Sequence, residues 1–267
     1  MLGLFAVLEV CGQETWVLES PALPKPDTVL VFKPRSYTTA KAYPLVYLLH
    51  GYSEDYRQWS VITDLQRHAD EYEWIIVTPD GFTSYYLNSP VDGPARYEDF
   101  FFRELVPKVH RTFRIDTANG FISGLSMGGY GALRYFILHP AYFNTAASTS
   151  GALEVDYKLL REASLHFWGT TRLTDDVTRQ LGDPAVSDWN RYSIATLLNE
   201  NPDFRRPFML DCGTDDLLFP VTERLKAQAD RHGIPVTYLT QPGGHDAAYW
   251  ARSIDYHFAY FRQHLKR

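Results

Sequence analysis

The 267-residue sequence predicts an α/β protein with a mostly parallel, doubly wound sheet. Short apolar runs such as residues 45–49 recur along the chain, and such runs are typical of strands buried on both faces. Segments with helical spacing of apolar residues separate them, and this alternation is typical of a parallel sheet covered by helices. A sheet of this class commonly forms one unit at this length, so we expect a single domain over residues 1–267.

The individual elements can be predicted in chain order. Two β-rich runs at 15–19 and 28–32, separated by prolines, predict an antiparallel edge at the N-terminal side of the sheet. Pro107 predicts a kink or break in a helix over 97–113. Residues 151–203 lose the alternation, and we expect a modest excursion over the carboxyl-terminal edge of the sheet. Further strands are predicted at 45–49, 74–78, 121–122, 145–150, 207–212 and 236–241, and further helices at 61–72, 130–138, 221–232 and 247–265.

Charge and hydropathy argue against two classes of partner. The formal net charge is −6 and no Lys/Arg run occurs, so we expect no nucleic-acid partner. No apolar run approaches the length of a membrane span, so we expect no membrane partner. Residues 1–13 have the apolar character of a signal peptide but lack a basic start and contain Glu9. We therefore expect a cytoplasmic protein, or a secreted or periplasmic one if the true N-terminus is missing.

The two cysteines do not indicate a metal site or a disulfide framework. Cys11 and Cys212 lie 201 residues apart along the chain and have no metal-ligand spacing. Cys212 continues an apolar run, so we expect a buried strand residue. We expect no metal and no other cofactor. The sequence leaves the oligomeric state open.

The motif that predicts a reaction is Gly124-Leu125-Ser126-Met127-Gly128. It lies between a predicted strand and a predicted helix, which is the setting of a nucleophile elbow. This turn is so tight that the residues two before and two after the serine must lack bulk, and both are glycine. A chain of this length contains G-x-S-x-G by chance roughly one time in ten, so the flanking elements decide in favour of a nucleophile.

A serine nucleophile needs a base and an acid that orients the base. In a parallel sheet both are carried by loops that follow later strands at the same edge. His245 follows the last strand behind two glycines, and we expect it to be the base. Asp215 and Asp216 follow the strand over 207–212. One of them is expected to be the acid, and the other a helix cap or a solvated residue.

Acyl transfer also requires two N–H donors for the oxyanion. The N–H of Met127, directly after the nucleophile, is the first candidate. The second is the N–H of Tyr52, after the strand that ends in His50-Gly51, and we expect His50 to brace this loop. Six aromatic residues near the predicted mouth are candidates for substrate binding, with core packing as the alternative: Tyr56, Trp59, Tyr85, Tyr86, Tyr249 and Trp250.

Four separated blocks carry a family resemblance: YPLVYLLHGYSEDYRQW, FISGLSMGGYGAL, LDCGTDDLL and GGHDAAYW, with LGDP and NSP between them. From Pro44 to the C-terminus the chain resembles the esterase D family of serine esterases. That family includes small carboxylesterases, feruloyl and acetyl xylan esterases, S-formylglutathione hydrolases and mycolyltransferases. The resemblance implies an α/β-hydrolase fold, no cofactor, and a catalytic triad of Ser126, Asp216 and His245, because the family's acid is the second residue of the acidic pair.

We therefore expect a serine carboxylesterase that hydrolyses small-acyl or aromatic-acyl esters, of acetyl or feruloyl type, through an acyl-enzyme. The expected partner is a small-molecule or carbohydrate-linked ester. The alternatives are an acyltransferase or an S-formylglutathione-type thioester hydrolase on the same triad, and an inactive binding protein with the hydrolase fold. S-formylglutathione hydrolases have an S-G-L-T-C type sequence where this chain has His50-Gly51-Tyr52-Ser53, which argues against the thioester.

Overall fold

The computed structural model describes the backbone of residues 8–10 and all of residues 12–267, so Cys11 lies outside the described residues. The strands in these ranges are β1 Leu8–Val10, β2 Gln13–Leu18, β3 Asp27–Phe32, β4 Tyr43–Leu49, β5 Ile75–Pro79, β6 Ile115–Leu125, β7 Thr145–Thr149, β8 Phe208–Gly213 and β9 Val236–Gln241. They form one sheet in the order β1-β2-β3-β5-β4-β6-β7-β8-β9.

The sheet is antiparallel at its N-terminal edge and parallel elsewhere. β1, β2, β3 and β5 pair antiparallel in succession. All pairings from β5 through β4 to β9 are parallel. The predicted mostly parallel sheet with an antiparallel N-terminal edge is confirmed. Parallel strands place all their carboxyl ends, and the loops that follow them, at one edge of the sheet.

Helices connect the parallel strands, and one more helix follows the last strand. They are α1 Gln58–Ile62, α2 Leu65–Tyr72, α3 Tyr97–Phe100, α4 Val106–Thr112, α5 Met127–Leu138, α6 Tyr157–Trp168, α7 Arg172–Leu181, α8 Ile194–Glu200, α9 Phe219–Arg231 and α10 Ala247–Gln263, with a π-helical turn at Phe101–Leu105 and a 3₁₀ turn at Trp189–Tyr192. No helix in the described part of the chain is long and apolar enough to cross a membrane.

Two of the predicted helices are interrupted in the structure for local reasons. The helix predicted over 61–72 is divided into α1 and α2, because the Asp64 side chain accepts the N–H of Arg67 and begins a new helix. The helix predicted over 97–113, with a kink or break at Pro107, is interrupted by a π turn that ends two residues before Pro107. Proline has no N–H to donate and crowds the preceding turn, and a wider π turn accommodates both.

Buried side chains form a hydrophobic layer on each face of the sheet. One layer includes side chains from α3 to α9 and is the larger. The other packs α1, α2 and α10 against the opposite face, with Trp74, Phe121 and Phe258 stacked at its centre. Cys212 is fully buried in β8, as predicted, and burial raises the pKa of its thiol.

A buried polar network joins α10 to the central strands. The Asp211 carboxylate, at the end of β8, accepts hydrogen bonds from Thr149 at 2.8 Å and from Ser253 at 2.8 and 2.9 Å. It also pairs with the imidazole of His257, whose Nδ1 lies 2.6 Å from the Ser123 hydroxyl. Both members of the Asp211–His257 pair are fully buried. Every polar group of this network therefore depends on a protein partner.

We expect His257→Ala to lower the free energy of unfolding by about 3–5 kcal/mol, because it leaves a buried carboxylate without its main partner. Urea denaturation followed by circular dichroism measures this. His110→Ala removes an exposed imidazole from α4 and serves as the control, with an expected change within about 0.5 kcal/mol. Equal stability of the two variants would contradict the role of the network.

Candidate active site

Ser126 lies in the turn between β6 and α5, in a backbone conformation that few serines adopt. Its φ is 52° and its ψ is −118°. A non-glycine residue in such a conformation costs about 1–3 kcal/mol, so the surrounding structure must hold it. The Ser126 N–H donates to the carbonyl of Thr149 at 3.0 Å, and the Ser126 carbonyl accepts the N–H of Ala152 at 3.0 Å.

The glycines of the motif allow three backbone segments to meet at this turn. A Cβ on Gly124 would lie 2.3 Å from the Gly128 backbone. A Cβ on Gly128 would lie 2.1 Å from the carbonyl oxygen of Leu49, at the end of β4. Neither contact is sterically allowed, which confirms the prediction that these two positions must lack bulk.

The loop after β4 lies beside Ser126. A Cβ on Gly51 would be 3.5 Å from the Ser126 Cβ. The Gly51 N–H donates to Gln58 Oε1 at 2.7 Å. His50 is buried and braces the loop, because its Nε2 accepts the Gly81 N–H at 2.6 Å. That leaves its Nδ1 to donate to the Gly51 carbonyl at 2.7 Å, which requires a neutral ring.

Two backbone donors near the serine are available for a ligand. Within residues 12–267, the N–H groups of Tyr52 and Met127 have no hydrogen-bond acceptor. The N–H of Met127 is free because it is the first residue of α5, where no preceding helical carbonyl exists. The N–H of Tyr52 is held in place because it belongs to the loop after β4, which His50 braces. These are the two groups that the sequence predicts as oxyanion donors.

The loops after β8 and β9 bring Asp216 and His245 together. His245 Nδ1 lies 2.9 and 3.1 Å from the two carboxylate oxygens of Asp216. The loops themselves are joined, because the N–H of Asp215 donates to the Gly243 carbonyl at 3.0 Å. A Cβ on Gly213 would lie 2.1 Å from that same carbonyl oxygen, so the close approach requires glycine.

The two neighbouring aspartates have different environments. Asp215 is exposed, whereas Asp216 is buried against His245. Burial disfavours the charged form of Asp216, but the hydrogen bond and charge of His245 outweigh it and lower the pKa of the carboxyl. The N–H of Leu218 adds a hydrogen bond at 2.8 Å. Asp216 is therefore held as a carboxylate that can only accept hydrogen bonds.

Aromatic rings hold the His245 imidazole from two sides. Its centroid is 4.8 Å from the ring of Phe167 on α6 and 5.0 Å from the ring of Trp250 on α10. The Trp250 indole N–H donates to the Ser150 hydroxyl at 3.1 Å. The ring and its loop are thus fixed by contacts from both helices.

A narrow apolar pocket lies at Ser126, with a volume of about 20 Å³. Its walls come from the loops after β4, β5 and β8 and from the excursion, including α6 and α7. They are Tyr52, Tyr85, Ala152, Glu154, Leu159, Leu160, Ala163, Phe167, Trp168, Leu173 and Leu218. The predicted excursion therefore covers the nucleophile, and most of the pocket wall was missed from sequence. The signal available was the apolar spacing of Leu159, Leu160 and Ala163 after Asp156, which caps α6.

The structure brings two of the six predicted aromatic residues to the site. Tyr85 lines the pocket and Trp250 packs on His245. It does not bring Trp59, Tyr86 and Tyr249 to the pocket, since all three are buried in the core. The indole N–H of Trp59 and the hydroxyl of Tyr86 donate inward, to the carbonyls of Leu49 and His50. Tyr56 is partly buried against the layer that contains α1.

No cluster of three or more His, Cys, Asp or Glu side chains that could hold a metal ion occurs among the residues that the structure describes. A larger cavity, of about 230 Å³, lies between the loop of residues 82–97 and α7, and Ser126 does not line it.

The profile of a family described as "Putative esterase" matches residues 20–261. The chain belongs to this esterase family. It is an enzyme of the serine esterase class, and the family resemblance of the four sequence blocks is confirmed. An acetyl esterase from Caldicellulosiruptor saccharolyticus is 28% identical over 216 residues, which cover 78% of this chain and 79% of the relative.

Two solved structures show that this esterase has the α/β-hydrolase fold. The fluorophosphonate-binding serine hydrolase FphF from Staphylococcus aureus superposes with a TM-score of 0.78 at 23% identity, covering 97% of this chain and 99% of the other. A ferulic acid esterase superposes with a TM-score of 0.78 at 24% identity, covering 95% and 98%. At these identities the similarity establishes the fold.

We expect Asp216→Asn in this esterase to lower kcat by up to ~10⁴, because the amide no longer favours the required tautomer of His245. Asp215→Asn removes the same charge from the adjacent, exposed position, and we expect a loss of about tenfold or less. Steady-state rates on one aryl acetate, with circular dichroism as a check of folding, compare the two. A larger loss for Asp215→Asn would mean that the hydrogen bond to Asp216 is not the one that catalysis uses.

Proposed function

We propose that this esterase is a carboxylesterase that hydrolyses esters of short acyl groups through an acyl-enzyme on Ser126. The observation that carries the proposal is the pairing of His245 with the buried Asp216 carboxylate at the same sheet edge as Ser126. Nucleophile, base and orienting acid then follow the chain order of an α/β-hydrolase. The unbonded N–H groups of Tyr52 and Met127 supply the remaining requirement.

The first half of the reaction acylates the serine. Ser126 Oγ attacks the carbonyl carbon of the ester while His245 Nε2 takes the hydroxyl proton. The carbonyl oxygen becomes an oxyanion and accepts hydrogen bonds from the N–H groups of Tyr52 and Met127. When the tetrahedral intermediate collapses, the bond to the alcohol oxygen breaks and His245 returns the proton to that oxygen. The alcohol leaves and the acyl group remains on Ser126.

The second half repeats these steps with water as the nucleophile. His245 takes a proton from water, the hydroxide attacks the acyl carbon, and the same donors receive the oxyanion. Collapse releases the carboxylic acid and returns the proton to Ser126. Asp216 accepts the Nδ1–H of His245 throughout, which leaves Nε2 with a lone pair in the resting enzyme and stabilises the imidazolium in both transition states.

The size of the pocket favours a short acyl group. Its volume of about 20 Å³ exceeds only slightly the roughly 10–15 Å³ that a single water requires. An acetyl group needs a small adjustment of the walls, whereas a feruloyl group needs displacement of side chains on α6 and α7. The acetyl esterase activity named for the relative from C. saccharolyticus supports the same choice. The alcohol portion would be a small molecule or a carbohydrate.

We expect Ser126→Ala to fold normally and to have essentially no esterase activity, because no other group can form the acyl-enzyme. A fluorophosphonate should label the wild-type protein at Ser126, and mass spectrometry of the digested adduct identifies the residue. Labelling at another residue, or substantial turnover by the variant, would contradict the proposal.

We expect kcat/KM to fall along the series 4-nitrophenyl acetate, butyrate and hexanoate, and to be lowest for a feruloyl ester. A substrate whose acyl group does not fit a well-packed pocket wall has a kcat/KM lower by on the order of tenfold or more. The use of one leaving group for the three aliphatic esters isolates the effect of the acyl chain. Faster turnover of the feruloyl ester than of the acetate would show that the pocket opens freely and would favour an aromatic acyl substrate.

A further inference from the structure

Tyr52 connects the loop after β4, which carries the proposed oxyanion donor and is called the oxyanion loop here, to the excursion. Its hydroxyl donates to Asp176 Oδ2 on α7 at 2.5 Å, across 124 residues of sequence. Burial raises the pKa of Tyr52, which keeps the hydroxyl protonated as a donor. Asp176 also forms an ion pair with Arg179 in the next turn of α7. A hydrogen bond from a neutral hydroxyl to a carboxylate is among the stronger ones in proteins.

The contact extends into a small cluster of side chains. The Tyr52 ring lies 5.1 Å from the Trp168 ring, with the planes at 67°. The Arg172 guanidinium lies over both rings, 5.5 Å from the centroid of Tyr52 and 5.7 Å from that of Trp168. Tyr52, Trp168, Arg172 and Asp176 thus form one contact between the oxyanion loop, the end of α6 and the first turns of α7.

Two functional elements meet at Tyr52. Its N–H is a proposed oxyanion donor, and its ring is part of the wall of the acyl pocket. The same wall includes Leu160 and Phe167 from α6 and Leu173 from α7. The helices that form this wall contact the oxyanion loop at the Tyr52 side chain. Asp176 and Arg179 lie on the face of α7 that lines the separate cavity of about 230 Å³, whereas Val177 and Leu181 anchor the helix in the core.

We propose that Asp176 is a positioning residue that sets the acyl-chain selectivity of the enzyme by holding Tyr52. This inference rests on the proposed function, because it assumes that an acyl group occupies the pocket at Ser126. The hydrogen bond keeps α6 and α7 against the oxyanion loop, which closes the pocket around a short acyl group. It also fixes the Tyr52 peptide, and hence the direction of its N–H.

Loss of this hydrogen bond therefore has opposite consequences for two substrates. An acetyl ester gains nothing from a wider pocket and loses oxyanion stabilisation, so its kcat falls. A hexanoyl ester is excluded by the closed pocket and gains from its opening, so its relative kcat/KM rises. A residue that only stabilised the fold would lower both activities together. The ratio of the two kcat/KM values separates positioning from stability.

The experiment compares 4-nitrophenyl acetate and hexanoate in the wild type and four variants. Tyr52→Phe keeps the ring and removes the hydroxyl, and Asp176→Ala removes the acceptor from a helix that tolerates alanine. We expect both to raise the hexanoate-to-acetate ratio of kcat/KM by about tenfold or more, the effect of losing a hydrogen bond to a charged group. Asp176→Asn retains an acceptor oxygen and should restore most of the wild-type ratio.

Asp175→Asn is the matched control. Asp175 is the exposed neighbour on α7, where it accepts a hydrogen bond from Thr171 at 3.0 Å, and its substitution removes the same charge from the same helix. We expect Asp175→Asn to have the same hexanoate-to-acetate ratio of kcat/KM as the wild type. Melting temperatures accompany the rates, so if Tyr52→Phe does not fold, the Asp176 variants decide the result.

An unchanged ratio in folded, active Asp176→Ala would overturn the inference, as would an equal change in Asp175→Asn, which would indicate a general charge effect. A wild-type protein that is inactive on both esters would instead contradict the proposed function. The two failures are therefore distinguishable.

Discussion

The active site depends on a close backbone contact between the start of α5 and the end of β4. Gly128 lies so near the carbonyls of Leu49 and His50 that a Cβ would approach them to 2.1 and 2.7 Å. β4 and β6 are neighbours in the sheet, and this contact places the loop after β4 against the loop after β6. The Ser126 hydroxyl and the N–H groups of Tyr52 and Met127 therefore lie in one place. The strained φ of Ser126 is sustained by the same packing.

The other half of the site is supported by polar groups buried below it. Asp211 in β8 holds His257 of α10, and α10 begins directly after the loop that carries His245. The Asp211 carbonyl also accepts the N–H of Ser150, whose hydroxyl receives the Trp250 indole N–H. Because these groups are buried, each must be paired for the fold to be stable, and their pairing orients the helix that adjoins the base. Stability and active-site geometry are thus secured by the same network.

Sequence reasoning succeeded where the signal is local. The G-x-S-x-G turn, the parallel strands and the buried Cys212 each follow from a few neighbouring residues. It failed at Asp64, whose cap divides a helix that the apolar spacing predicts as continuous. The irregularity predicted at Pro107 is present, as a π turn that ends two residues before it. Sequence reasoning could not separate Tyr85 from Trp59 and Tyr86 either. All three follow strands, but the polar atoms of Trp59 and Tyr86 donate to carbonyls in the core, whereas Tyr85 lines the pocket.

The sequence by itself determined the class of reaction and the sheet edge where it occurs, because a nucleophile turn and the alternation of strands and helices are encoded in contiguous segments. From the residues alone Asp215 and Asp216 were equivalent, and the family resemblance chose between them. Only the tertiary structure decided that Asp216 is buried against His245 while Asp215 is exposed. It alone decided that α6 and α7 close the pocket and that Tyr52 reaches Asp176. These contacts join segments far apart in the chain, and their geometry depends on how the layers pack around the sheet.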